Sequence, residues 1–105
     1  MISAKFYFED GKICGFEISG HATANAEDAL GRQLCAAVSS AAFMTANTVI
    51  AIIDDECDAQ VDDGNMKLIC KAPSEKTQTV LSGFKLHLTE LEKQYDKRLK
   101  IITEV

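Results

Sequence analysis

Residues 20–40, GHATANAEDALGRQLCAAVSS, span the change from one hydrophobic pattern to another in a sequence of 105 residues. Before this stretch the apolar residues alternate, which predicts β-strands, and from Gln33 they recur at spacings of three and four, which predicts a helix. His21 follows a strand-like segment, a loop of small and acidic residues comes next, and we expect Cys35 at the helix start. Nucleophilic thiol chemistry requires such a pair, because the imidazole shares the proton and a helix N-terminus favours the thiolate.

The residues upstream predict an N-terminal β-hairpin. Residues 2–8 and 12–19 both alternate, with a short glycine-containing segment between them. A three-residue loop places Phe6 opposite Cys14 and keeps one face of the hairpin apolar. A two-residue loop at Asp10–Gly11 mixes the apolar and polar faces, so we predict the three-residue loop.

The residues downstream predict a long helix and a second hairpin. The helix is expected to stop by Ile53, because the three acidic residues that follow are unfavourable near the C-terminal end of a helix dipole. Two alternating segments then flank a turn at Asp63–Gly64. In that register Cys57 and Cys70 face each other, either as a redox pair or as two small core residues, and a reducing compartment favours the second interpretation.

The C-terminal third adds a second helix and a short alternating segment. Pro73 and Ser74 predict the helix start, with Ser74 as the N-cap. Residues 99–105 alternate and predict a last strand. The expected order is ββαββα with a possible C-terminal strand. This is an α+β fold in which two β-hairpins and two helices form a single domain over residues 1–105, the helices packed on a mainly antiparallel sheet.

Charge and composition disfavour several classes of function. A formal net charge of −5 argues against a nucleic-acid-binding protein and suits a cationic partner, although it also serves solubility. The uncharged run 33–53 contains polar residues and much alanine, which favours a buried helix over a membrane span. The N-terminus has no signal-peptide pattern, so we expect a cytoplasmic protein with reduced cysteines. The scattered Cys and His residues predict no metal site, and the sequence predicts no cofactor.

The cysteines and histidines compete for the chemical roles. Only Cys35 adjoins a loop. The other cysteines fall on apolar strand faces, where burial raises the pKa of a thiol: Cys14, Cys57 and Cys70. Of the two histidines, His87 lies at the edge of an apolar helix stripe, whereas His21 has no packing pattern to explain it.

Neighbouring residues are candidates for supporting roles. Ser39 lies one helical turn after Cys35 and points the same way. Backbone N–H groups around Cys35 and Ala36 would hold an oxyanion if the helix starts there. Glu27 and Asp28 of the loop are candidates for orienting the histidine.

Two segments, ISGHA at 18–22 and CAAVS at 35–39, together resemble the motifs of the bacterial ribosomal-processing cysteine protease (Prp) family. The resemblance implies a small α+β homodimer with a Cys–His dyad. It implies removal of an N-terminal extension from the twenty-seventh protein of the large ribosomal subunit. By the motif match, Cys35 is similar to the family's nucleophile and His21 to its histidine, while Gly20 and Ser39 belong to the same motifs. The implied partner is the N-terminal peptide of a ribosomal protein precursor, without direct contact with nucleic acid or a membrane.

Two other functions stay open at this point. A non-enzymatic ribosome-assembly or peptide-binding module would bind a peptide without cutting it and would keep its function in Cys35→Ala. A thiol-based redox sensor would change reversibly on oxidation and release no peptide product. The protease interpretation requires both His21 and Cys35.

Overall fold

The computed structural model describes residues 1–21 and 28–105. Its elements follow the predicted order, and the C-terminal strand is formed. A π-helical segment extends the first helix. The elements are β1 (Ile2–Glu9), β2 (Lys12–Ser19), α1 (Ala29–Asn47), the π-helical segment (Thr48–Ile53), β3 (Cys57–Asp62), β4 (Asn65–Cys70), α2 (Glu75–Gln94) and β5 (Leu99–Glu104).

The five strands form one sheet in the order β3-β4-β2-β1-β5. Among the described strands, three pairs are antiparallel and the β1–β5 pair is parallel. Both helices contribute to one core together with the sheet, so the predicted α+β fold with a mainly antiparallel sheet is confirmed. Three aromatic rings meet at the centre of this core: the ring centroids of Phe16 and Phe84 are 4.8 Å apart, and those of Phe6 and Phe84 are 5.7 Å apart.

The first hairpin forms, but its predicted register is wrong. Phe6 pairs with Phe16 instead of Cys14, and the turn consists of Asp10–Gly11, both with positive φ. Cys14 is the extra residue of a β-bulge, and a bulge changes which face the following side chains occupy. Ile13 and Phe16 therefore both reach the core. A two-residue turn mixes the apolar and polar faces only in a regular hairpin. The bulge at Cys14 restores the apolar face.

The first helix buries one stripe and exposes its end. Val38 and Val49, which follow the spacing of three and four that predicts the helix, are buried, whereas Ile52, which continues that spacing, is 79% exposed. The segment Thr48–Ile53 is π-helical, and its wider turns move later side chains off the stripe. Within residues 1–21 and 28–105, Ala29–Ile53 is the one helix whose length and composition would also permit a membrane span, a test that core helices of soluble proteins also pass.

The second helix begins where the sequence predicts, with Ser74 as N-cap. The Ser74 hydroxyl oxygen accepts a hydrogen bond from the N–H of Thr77 at 3.3 Å. Asp55 supports this cap: one carboxylate oxygen accepts from the Ser74 N–H (2.9 Å), the Ser74 hydroxyl (2.8 Å) and the Thr77 hydroxyl (2.6 Å). These hydrogen bonds, that of Thr77 foremost, hold the pKa of Asp55 below its ordinary value.

Candidate active site

The first helix begins earlier than the sequence pattern indicates. Asp28 is its N-cap and accepts a hydrogen bond from the N–H of Gly31 at 3.0 Å through one carboxylate oxygen. The other oxygen forms an ion pair with Arg98, which lies just before β5. A glycine inside a helix costs about 1 kcal/mol relative to alanine, and the cap and ion pair offset that cost. Gly31 and Arg32, predicted as loop residues, are therefore helical.

Because α1 begins at Ala29, the candidate nucleophile Cys35 does not lie at the helix start. Cys35 lies nearly two helical turns after the first residue of α1, so the prediction that it begins the helix is wrong. Amides this far into a helix bond to carbonyl groups four residues earlier. The role of Cys35 and Ala36 as backbone donors to an oxyanion therefore loses its physical basis.

A cleft of about 280 Å³ brings most of the predicted site residues together. It lies between β2, α1 and the turn that joins β3 to β4. Four of the predicted residues line it: Gly20, His21, Cys35 and Ser39. Ala36 is exposed on α1 and is not among the lining residues.

His21 is held at the end of β2 by two glycines. The N–H of Gly20 donates to the carbonyl of Gly64 at 3.0 Å, and Gly20 has a φ of 87°. A side chain at Gly20 would place its Cβ 2.4 Å from the Met1 carbonyl oxygen, so only glycine fits. The imidazole itself lies against Gly64, where an added Cβ would be 3.0 Å from Nε2 of His21. The β3–β4 turn therefore borders the imidazole on one side.

Asp28 and Glu27 are the two residues predicted as candidates to orient His21. Asp28 uses both carboxylate oxygens at the start of α1, with Gly31 and Arg98, which favours a structural role. Glu27 lies outside the described residues. Within residues 1–21 and 28–105, the His21 ring lies against Gly64.

The four thiols lie in different environments. Burial raises the pKa of Cys14 and of Cys57, and it raises the pKa of Cys70 far above the ordinary thiol range. Each of these three thiols therefore has a smaller thiolate fraction at neutral pH than an ordinary cysteine, as the sequence predicts. Cys35 is half-buried and lines the cleft. His87 is exposed on α2 and does not line the cleft.

The sequence pattern does not reveal the contribution of the β3–β4 turn to the cleft. Asp62, Asp63 and Asn65 line the same cleft as His21. The Asp63–Gly64 turn was predicted, but its place beside the histidine depends on β4 pairing with β2, which no local signal reveals. Glu17 of β2 fixes the turn by accepting from the Asn65 side chain at 3.1 Å, a bond that lowers the pKa of Glu17.

A half-buried thiol, an imidazole and a hydroxyl that share one open cleft are the groups of a cysteine hydrolase. A family model described as "Cysteine protease Prp" matches residues 1–100, which makes the protein a cysteine protease by class. The chain belongs to the Prp family of cysteine proteases. No curated protein matches it significantly.

Three solved structures resemble the fold over nearly the whole chain. Prp from Staphylococcus aureus, an essential ribosomal processing protease with a covalently linked product peptide, is 22% identical with a TM-score of 0.85, covering 99% of this chain and 100% of that chain. The same protease with a substrate peptide is 19% identical with a TM-score of 0.86 and the same coverage. SMU.848 from Streptococcus mutans is 27% identical with a TM-score of 0.82, covering 99% and 96%.

Proposed function

We propose that this protein is a cysteine endopeptidase that removes the N-terminal extension of a large-subunit ribosomal protein, the twenty-seventh, during ribosome maturation. The observation that carries the proposal is that His21 and Cys35, the two motif residues, line one cleft in a chain of the Prp family. Staphylococcus aureus Prp, with the same fold, is a ribosomal processing protease that binds a substrate peptide. That likeness supports a peptide from a ribosomal protein precursor as the substrate.

The chemistry is acyl transfer with Cys35 as nucleophile and His21 as acid and base. The sulfur of Cys35 bonds to the carbonyl carbon of the peptide while His21 takes up the thiol proton. The carbon–nitrogen bond then breaks as His21 protonates the leaving amine. Water attacks the resulting thioester and releases the acyl product. Ser39 is exposed in the same cleft one turn after Cys35, where its hydroxyl can hydrogen-bond to the substrate.

Charge favours a basic substrate. The chain carries a formal net charge of −5, and Asp62 and Asp63 lie at the cleft. Ribosomal proteins bind a polyanion and are basic, so opposite charges raise the rate of encounter. The same charge disfavours direct binding of this protein to nucleic acid.

We also propose a cytoplasmic homodimer. Several large apolar side chains on and after α1 are exposed in the single chain: Phe43, Met44, Ile50 and Ile52. Leu86 on α2 is 62% exposed and is a second candidate for a contact between subunits. Sedimentation of the wild-type protein and of Met44→Glu tests the dimer, because a charge at a buried subunit contact shifts the equilibrium towards monomer. A wild-type protein that sediments as a monomer at all concentrations contradicts it.

The function is tested on the host's own extended ribosomal protein. We expect wild type to shorten it at one site, and Cys35→Ala to bind it without cutting, because only the nucleophile is lost. His21→Ala should lose turnover nearly as completely as Cys35→Ala, because the two groups act as a unit. Cys14→Ala, which changes a thiol outside the cleft, is the matched control and should cut normally. If wild type leaves the substrate intact, or Cys35→Ala still cuts it, the peptide-binding module takes the place of the protease.

A further inference from the structure

The β3–β4 hairpin brings two thiols into contact at the end away from the cleft. Cys57 and Cys70 pair directly across the hairpin, with their sulfur atoms 2.8 Å apart. The N–H of Lys71 donates to the carbonyl of Glu56 at 3.0 Å, which places the cysteines at a non-hydrogen-bonded pair. At such pairs the Cα atoms are about 4.5 Å apart, the closest approach in an antiparallel ladder. That spacing lies within the range of about 4.4–6.8 Å found in disulfides.

The two thiols differ in access from solvent. Cys57 is half-buried on β3, which is an edge strand, whereas Cys70 is 3% exposed on the neighbouring strand. A surface depression reaches Cys57 between Glu56, Asp58 and Ile69. A small molecule can therefore meet Cys57 first, while Cys70 is buried and faces the sulfur of Cys57.

We propose that Cys57 and Cys70 form a reversible cross-strand disulfide, with a low-molecular-weight disulfide such as oxidised glutathione as the co-reactant. The Cys57 thiolate attacks one sulfur of the co-reactant, forming a mixed disulfide and releasing one thiolate. The Cys70 thiol then loses its proton and attacks the sulfur of Cys57, which releases the second thiol. Two protein thiols are oxidised and one small disulfide is reduced to two thiols, so the electrons balance.

This modification is separate from the proposed protease chemistry. Cys35 lies on α1 and lines the cleft, whereas the Cys57–Cys70 pair lies at the open end of the hairpin whose turn borders that cleft. A disulfide would tie the edge strand β3 to β4 without a new contact in the cleft. Burial raises the pKa of Cys57, so its oxidation should become faster as the pH rises above neutral.

The test uses the wild-type protein in glutathione buffers of increasing oxidised fraction. Remaining thiols are alkylated in acid, and the protein is digested for mass mapping. Trypsin leaves Cys35 and Cys57 together in peptide 33–67, so a second cleavage at Asp54 or Asp55 separates them. We expect peptides containing Cys57 and Cys70 to appear linked, two hydrogen atoms lighter than the pair, and to separate again with dithiothreitol. Hydrogen exchange of the β3 amides should slow by at least about tenfold on oxidation.

Two variants test whether the link requires Cys70 and is independent of Cys14. Cys14→Ala, which removes a neighbouring thiol, should form the link as wild type does. Cys70→Ala should stop at the mixed disulfide on Cys57. The proposal is overturned if wild type accumulates that mixed disulfide without the link, if neither thiol reacts where a simple dithiol is fully oxidised, or if the link forms only after denaturation. Because the link is read on the wild-type protein, the result does not depend on the folding of Cys70→Ala.

Discussion

The two ends of the β3–β4 hairpin contact different parts of the molecule. At the turn, Gly64 lies against His21, and its neighbours line the cleft. At the open end, Cys57 faces Cys70, and Asp55, just before β3, supports the Ser74 cap of the second helix. The turn thus positions groups that would meet a substrate, whereas the open end holds an edge strand and a helix in place. We expect substitutions at the turn to lower activity more than stability, and substitutions at the open end to do the reverse.

The largest effect is expected for Gly64→Ala at the turn. Gly64 has a φ of 74°, and a Cβ there would be 3.0 Å from Nε2 of His21, so the ring must shift by a few tenths of an ångström. Since a displacement of about 1 Å at a catalytic group can cost about 100-fold in rate, we expect this smaller shift to lower kcat/KM on the extended ribosomal protein about tenfold. Gly11→Ala is the matched control, because Gly11 has a φ of 76° and no atom within 4 Å of an added Cβ. Both variants should lose about 1 kcal/mol of stability. Wild-type kcat/KM in Gly64→Ala would contradict the role of the turn.

The second prediction compares the thiols of the two regions. Burial raises the pKa of Cys57 and Cys70 at the open end, and a thiol with a higher pKa has a smaller thiolate fraction at neutral pH. Brief iodoacetamide treatment at neutral pH should therefore label Cys35 at least about tenfold faster than either. Peptide mapping by mass spectrometry gives the three rates, and labelling in urea is the control in which they should converge. Equal labelling in the folded protein would remove Cys35 as the favoured nucleophile.

The third prediction concerns stability at the open end. Asp55→Asn weakens three hydrogen bonds at the start of α2 by removing the charge of their acceptor. We expect a lower urea midpoint with an unchanged m-value, and kcat of the folded enzyme within about twofold of wild type. Asp54→Asn is the matched control, because asparagine tolerates the left-handed φ of 67° at that position. A large loss of kcat in Asp55→Asn at full folding would mean that the two ends are coupled.

The sequence predicts the elements whose signals are local. The Ser74 cap, the Asp63–Gly64 turn and the facing cysteines were all predicted, because each depends on residues within one helix start or one hairpin. The start of α1 was not predicted, since Asp28 is stabilised there by Arg98, which is 70 residues away in the sequence.

The same contrast holds for the candidate site. The His21 and Cys35 motif was recognised, and both residues line the cleft. The β3–β4 turn was not assigned to the site, because its contact with His21 follows from the pairing of β4 with β2. The bulge at Cys14 was also missed, because Cys14 is itself apolar and alternates regularly with Phe16 and Ile18, which hides the extra residue.

The smallest effect is expected in the pH dependence of stability, which tells whether Asp55 stabilises the protein through its charge or through its shape. Its pKa is lowered in the folded protein from an ordinary value of 3.8, so between the two pKa values the unfolded chain binds more protons. The stability that this carboxylate contributes is therefore fully present above about pH 5 and is lost progressively as the pH falls through the unfolded and then the folded pKa. Urea unfolding of wild type and Asp55→Asn at a series of pH values should show a difference at pH 7 that narrows below pH 4. Glu17, whose pKa is also lowered, is present in both proteins, so its contribution cancels from the comparison. A difference that stays constant down to pH 3 would mean that Asp55 supports α2 through its shape and not through its charge.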